Sequence, residues 1–301
     1  MTEEEEEQAI ADLRKAGDIA KQVRIYARSI VKKDMLLLEL ADKIEAKIEE
    51  LGGKMAFPTN LSINEIAAHF TPAYNDEETA HGLLKIDFGV HINGFTADTA
   101  FSIDLENSDE NKKLIETAEK CLANAIQTVK EGKTLAELGA SVQQTAEQAG
   151  FSPIQNLSGH QIDQYDLHAG LTIPNYDNGN ENYLEAGIYA IEPFTTTGEC
   201  KVYEGKPSGI YKLISAQNVR DKGARELLNY IADEYITLPF CSRWLVKKFG
   251  TRALISLRFL ENAGVVQQYP QLIEQSKKPV AQAEHTLLVT DKDIEVISKE
   301  D

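Results

Sequence analysis

Apolar residues recur every three or four positions through the first part of the chain. Ile10, Leu13, Ala16, Ala20, Val23 and Ala27 fall on one stripe, which predicts a core-packing helix over residues 2–32. A second helix is expected from about Asp34 to Leu51, stopped by Gly52-Gly53. The period then changes to two. Residues 84–101, LKIDFGVHINGFTADTAF, alternate as a β-hairpin closed by the turn dipeptide Asn93-Gly94. That turn pairs Asp98 with Gly89, so Asp87 and Asp98 share a face. Helical spacing returns over Asn111–Glu131. Thr134 and Glu137 then form a capping box for a helix that ends near Gly150.

The second half of the chain mixes both periods. GIYAIEPFTT, residues 187–196, is an apolar strand that carries Glu192, and Pro193 beside it marks a sheet edge or a bulge. Three helices are expected over Asn218–Tyr235, Ser242–Phe249 and Ala253–Ala263. Their core face is Leu227, Leu228, Ile231, Trp244, Leu245, Leu254 and Leu257, and they read as an inserted helical subdomain. The segment has no dense basic stripe of the kind that grips nucleic acid. The chain returns to strands in KPVAQAEHTLLVTDKDIEVIS, with Glu284 expected mid-strand and a last strand over Ile294–Ile297.

Composition narrows the classes. The 301 residues suffice for one large domain or two smaller ones. With 48 acids against 31 bases and a net charge of −17, broad binding to phosphate backbones is disfavoured, and no nucleic-acid partner is expected. No apolar run approaches the ~20 residues of a membrane span. The start, MTEEEEEQ, lacks a leader pattern, so the expectation is a cytoplasmic protein. Cys121, Cys200 and Cys241 are scattered and form neither a disulfide framework nor a zinc cluster.

The chemistry lies in acids placed where acids do not belong. Asp87, Asp98, Glu192 and Glu284 all sit in apolar strands, and a buried, unpaired carboxylate is costly. His160 and His168 fall together in the aperiodic stretch NLSGHQIDQYDLHAG, residues 156–170. His69, alone between Ala68 and Phe70, reads on its own as structural. Asp87, Asp98, His160, Glu192 and Glu284 make a hard, oxygen-rich ligand set. Two carboxylates ~4 Å apart repel by roughly 4 kcal/mol at an effective dielectric near 20, so gathering these acids requires protons or cations. Four negative charges match two divalent ions.

DFGVHINGFTADTAF, SGHQIDQYDLHAG, YAIEPF and AQAEHTLL resemble the metal motifs of the methionine aminopeptidases. FPTNLSINEIAAHFTP, and a helical insertion between the fourth and fifth ligands, resemble the type 2 branch in its short archaeal form. The likeness covers nearly the whole chain in order. It implies an α+β pita-bread (creatinase/aminopeptidase) fold, with a catalytic domain over 1–214 and 271–301 and a winged-helix-like helical subdomain over 215–270. It also implies two divalent ions, drawn from Co, Mn, Fe, Zn and Ni. Asp87, Asp98 and Glu284 would hold one; Asp98, Glu284, His160 and Glu192 would hold the other. The ions would activate a bridging water to attack the carbonyl of an initiator methionine, where the second residue is small.

By the same resemblance, Glu192 shuttles protons and His168 stabilises the substrate carbonyl. His69 contacts the amide beyond the scissile bond and is the residue that fumagillin-type inhibitors alkylate, which replaces its structural reading. Phe57, Leu167 and Tyr269 would line the methionine pocket, where one methylene is worth ~1–3 kcal/mol of discrimination. One departure stands out: Ile210 closes TTTGECKVYEGKPSGI where the eukaryotic type 2 pattern has a histidine. A nascent-chain substrate implies transient contact with the ribosome, although no residue argues for it. A monomer is expected. The rival readings are a prolidase or Xaa-Pro aminopeptidase of the same fold, and a silent relative that binds ribosomes or RNA. The former usually carry a large extra N-terminal domain, and the latter lose ligands.

Overall fold

The computed structural model describes residues 2–215 and 219–300. Helix α1 (Glu3–Ile30) follows the first stripe and opens on a reciprocal cap between Thr2 and Glu5. Helix α2 (Leu37–Glu50) starts later than the expected Asp34. Asp34 takes a left-handed backbone (φ 65°), which keeps it out of the helix. Both helices pack on strands β1 (Lys54–Ile63), β3 (Leu83–Ile92) and β4 (Phe95–Asp104) through one core that includes Leu13, Val23, Leu40, Ile44, Leu61, Ile86 and Phe88. A short strand β2 (Ile66–Ala68) follows β1.

The hairpin β3–β4 forms with the expected register, Gly89 opposite Asp98. Its turn residues Asn93 (φ 51°) and Gly94 (φ 88°) both have positive φ, as a tight two-residue turn demands. Helices α3 (Asp109–Lys130) and α4 (Leu135–Gln148) build a second core with Leu83, Ile173, Tyr189, Ile191 and Leu287. The Thr134–Glu137 box caps α4 as read from the sequence.

The remaining strands are β5 (Ser152–Pro153), β6 (Ser158–Ile162), β7 (Thr172–Pro174), β8 (Gly187–Ile191), β9 (Phe194–Thr196), β10 (Val202–Leu213), β11 (Phe240–Cys241), β12 (Val266–Glu274), β13 (Val280–Gln282), β14 (Glu284–Val289) and β15 (Ile294–Val296). The main sheet runs β1-β3-β4-β14-β8-β6-β7, with β15 on β14. Two smaller sheets, β13-β9-β5 and β11-β10-β12-β2, adjoin it.

Between β10 and β12 lie α5 (Lys222–Glu234), α6 (Ser242–Phe249) and α7 (Arg252–Asn262), close to the three helices expected. The expected first residue, Asn218, lies outside the described residues. Their core holds Leu227, Leu228, Ile231, Trp244, Leu245 and Leu257, whereas Leu254 is only half-buried. α7 turns Ala253, Leu257 and Leu260 inward instead, a helical three-to-four spacing that leaves Leu254 on the flank. Among the described residues no helix is long and apolar enough to cross a membrane.

Candidate metal centre

Two pieces of sheet bring the acids together. The first is the β3–β4 hairpin, which carries Asp87 and Asp98. The second is a long two-stranded ribbon. β14 pairs with β8 up to His285 and Ile191, and β13 pairs with β9 from Gln282 and Phe194 onward. Both strands break between those pairs, so Glu192-Pro193 stands opposite Ala283-Glu284. A single bond spans the gap, from the Ala283 N–H to the Pro193 carbonyl at 3.3 Å. Here the ribbon leaves the main sheet for the three-stranded one. Glu284 therefore opens β14 and does not lie mid-strand as expected. Pro193 has no N–H to continue the ladder, which accounts for the break on its side.

His160 arrives on β6, opposite Ala190 of β8. Its Nε2 lies 3.4 Å from Glu192 Oε1 and 3.7 Å from Asp98 Oδ2. Asp98, His160 and Glu284 each offer a ligand atom, and these atoms lie within 4.8 Å of one another. Gln282, which sequence reasoning missed, reaches Asp87 Oδ2 at 3.5 Å and Glu192 Oε2 at 3.4 Å with its amide nitrogen. It sits two positions before Glu284, and strand alternation could have flagged it as sharing that face. One cavity of 280 Å³ is lined by all five expected ligands.

Burial first, then the Asp98 and Asp87 carboxylates, hold the Glu192 carboxyl well above the usual range. Burial and Asp87 do the same to Asp98. Burial, Asp98, Glu192 and Asp87 raise Glu284, opposed by the Arg24 charge. Burial alone lifts Asp87 to about 7, against a bond from Gln282. Burial pulls His160 down to about 3, so its ring is neutral and has a lone pair to give. Asp87 Oδ1 and Asp98 Oδ1 are buried with no hydrogen-bond donor among the described residues. Clustered carboxylates with orphaned oxygens beside a neutral imidazole fit a divalent cation by their chemistry.

The two pieces of sheet barely touch through backbone. β4 and β14 register at only Ala100–Glu284 and Thr99–His285. Hydroxyls extend the joint. Thr286 Oγ1 donates to the Asp98 carbonyl at 2.8 Å and accepts the Asp98 N–H at 2.7 Å. Thr99 Oγ1 donates to the Glu284 carbonyl at 3.1 Å. Ser102 Oγ donates to the Gln282 carbonyl and accepts its N–H, both at 2.8 Å. Behind them Arg24 of α1 donates to Thr99 Oγ1 at 2.5 Å and to the Ala100 carbonyl at 3.0 Å.

The expected substrate residues line the same cavity: His69, His168, Phe57, Leu167 and Tyr269, with Ile210 and Pro239. His69 takes a left-handed backbone (φ 63°), a conformation that costs of order 1–3 kcal/mol and persists where its surroundings enforce it. Burial lowers its pKa to about 4, and the adjacent His168 adds to this. Its Nδ1–H donates to the Pro270 carbonyl at 3.2 Å, which leaves the lone pair on Nε2, and its ring meets Tyr269 edge-on at 5.3 Å. His168 meets His160 at 4.4 Å and is also held neutral by burial. Phe57 and Leu167 share a small apolar cluster with Ala56. Gly89 makes room for it, because a Cβ there would lie 2.5 Å from Phe57 Cε1.

Comparison with known proteins bears on the fold and the family. The chain is similar to methionine aminopeptidases of Pyrococcus abyssi, at 45% identity over 95% of this chain and 97% of the relative. It is also similar to that of Methanocaldococcus jannaschii, at 40% identity over 94% and 96%. Among solved structures it resembles a thermophilic Arx1 (TM-score 0.82, 15% identity, 96% of this chain and 90% of that one). It likewise resembles the Thermotoga maritima methionine aminopeptidase (TM-score 0.69, 21% identity, 97% of each). The Pyrococcus furiosus prolidase matches 98% of this chain but 64% of its own (TM-score 0.61, 17% identity). The fold is the pita-bread fold that the motifs implied. Residues 11–291 match the sequence model of the Peptidase_M24 family, and the chain belongs to metallopeptidase family M24.

Proposed function

We propose that the chain is a methionine aminopeptidase of the type 2 branch, which removes an N-terminal methionine from nascent chains when the second residue is small. The observation that carries this reading is the gathering of Asp87, Asp98, His160, Glu192 and Glu284 in one cavity with His69 and His168. In this reading Asp87, Asp98 and Glu284 hold one divalent ion, and Asp98, Glu284, His160 and Glu192 hold a second. The ions, when bound, supply Lewis acidity and an activated water. A carboxylate-rich set with one imidazole suits Co, Mn, Fe, Zn or Ni.

The protein's own groups do the rest. Glu192 takes a proton from the attacking water and delivers it towards the leaving amine. His168, neutral, donates to the scissile carbonyl and to the negative charge that develops there. His69 accepts the next amide N–H at the lone pair its Pro270 bond leaves free, and the same lone pair is the nucleophile for fumagillin-type epoxides. Phe57, Leu167 and Tyr269 hold the methionine side chain. We assign residues 1–214 and 271–301 to the catalytic domain and 215–270 to the inserted subdomain, which supplies Pro239 and Tyr269 to the cavity. A cytoplasmic monomer that meets its substrate at the ribosome completes the reading.

A peptide panel tests it. With added Co, Mn, Fe or Zn, release of methionine from Met-Ala peptides should greatly exceed cleavage of Xaa-Pro peptides. The reverse preference would replace this assignment with a prolidase.

A further inference from the structure

Strand β10 leads out of the cavity along one face. Ile210 lines the cavity, and Tyr211 turns the other way into the core of the inserted helices. Alternation returns Lys212 to the Ile210 side. Exposure rises along that side, from 4% at Ile210 through half-buried Lys212 to 50% at Ile214, just past the strand end. The neighbouring strand β12 agrees. Lys212 pairs with Gln267, and Tyr269, two positions on, shares the Gln267 face. Tyr269 is therefore a diagonal neighbour of Lys212, and it lines the cavity. The Lys212 Nζ lies over the Tyr269 ring, 5.3 Å from its centre.

Charge sets Lys212 apart. The acids Asp87, Asp98, Glu192 and Glu284 line the cavity, and no lysine or arginine does. Lys212 brings an ammonium to the mouth. Among the described residues no carboxylate lies within salt-bridge distance of it, so its three N–H donors are open to a ligand carboxylate. Asp166, the acid that bears on His168 from the same region, has Oδ1 engaged by the His168 N–H at 3.3 Å. Burial lowers the His168 pKa, Asp166 opposes this, and the Lys212 charge adds to it, which places both groups near the partner of the substrate carbonyl. The amide beyond the scissile bond falls to His69, whose ring is 5.3 Å from that of Tyr269. An extended chain advances ~3.3 Å per residue, so the one to three residues that follow pass Tyr269 and come within reach of Lys212.

We infer that Lys212 is a specificity residue for the substrate beyond its second position: its ammonium pairs with an acidic side chain at the third, fourth or fifth residue of the peptide. The inference rests on the aminopeptidase reading above. The net charge of the protein works against such a preference. At −17 it repels an acidic peptide at long range, so a preference for one comes from local cations, and variants of Lys212 separate this one from bound metal.

The test uses the Mn(II)-loaded full-length protein and the amidated pentapeptides Met-Ala-Xaa-Gly-Gly, Met-Ala-Gly-Xaa-Gly and Met-Ala-Gly-Gly-Xaa, with Xaa glutamate or glutamine. At low ionic strength kcat/KM for glutamate should exceed that for glutamine by about threefold at one or more of the three positions, the worth of an exposed ion pair. The excess should lie in KM, and it should shrink in about 0.5 M salt. Lys212→Met should bring the ratio to one. Lys212→Glu should turn it below one, and it decides the matter if the methionine variant fails to fold. Ratios of one throughout in the wild type would overturn the inference, as would an excess indifferent to salt. So would an excess that survives in the variants, which would belong to the bound metal. A wild-type protein that releases no methionine from any of these peptides would instead remove the reading beneath the inference, and the inference with it.

Discussion

Glu45 of α2 and Asp98 of β4 are both buried acids, 4% and 3% exposed. Glu45 accepts from Arg243 Nη1 at 2.6 Å, Arg243 Nη2 at 2.8 Å, Trp244 Nε1 at 2.8 Å and the Thr59 N–H at 3.3 Å. Both its oxygens are occupied. Arg243, fully buried, also donates to the Pro72 carbonyl at 3.1 Å and to Asp42 at 3.0 Å. This cluster ties α2, β1 and the inserted helices into one piece. Asp98 has the opposite company: acids and a neutral imidazole, with Oδ1 unanswered. The difference teaches how to read a buried charge. Where donors are buried with it, the fold is complete. Where acceptors are, the missing partner comes from outside the chain.

Substitutions can break that contrast. Asp98→Ala should abolish methionine release and weaken binding of both ions, measured by turnover and by calorimetry on the metal-stripped protein. Undiminished turnover would refute the bridging role. Glu45→Gln should destabilise the protein by about 3 kcal/mol, with or without metal, because it removes the buried countercharge of Arg243 and leaves only the half-exposed Asp42. Asp98→Asn should do the reverse in metal-free protein, raising stability by about 1 kcal/mol as one repelling charge is removed. Denaturant melts of both variants, with and without chelator, decide this. Shifts of the same sign would erase the distinction drawn here.

The smallest expected effect is a pH dependence outside both clusters. His91 Nδ1 accepts the Gly94 N–H at 3.1 Å across the hairpin turn. Burial, helped by Lys54, lowers its pKa from 6.5 to about 4. A value depressed on folding means a contribution present above pH 6.5 and lost as pH falls towards 4. The gap in stability between wild type and His91→Gln should therefore narrow over that window, by about 1–3 kcal/mol at most. A pH-independent gap would show that the ring acts by packing alone.

The parts of this site that the sequence revealed were set locally. A two-residue turn fixes hairpin register, so Gly89 opposite Asp98 followed from Asn93-Gly94. A capping box needs three residues of context, and the one at Thr134 formed. The misplacement of Glu284 has a non-local cause: β14 starts there because its partner breaks at Pro193, 91 positions earlier in the chain. Thr99, Thr286 and Ser102 look in sequence like ordinary strand residues, and only the approach of β13 and β14 to β4 makes them stitches. Glu45 and Arg243 are 198 residues apart, and no local pattern links them.

The short joint between β4 and β14 has a mechanical consequence. The hairpin and the ribbon are two plates that meet along a narrow seam, with Asp87 and Asp98 on one and Glu192 and Glu284 on the other. An ion held by both sides would act as a rivet through them. Stripping it should loosen the plates before it unfolds either one.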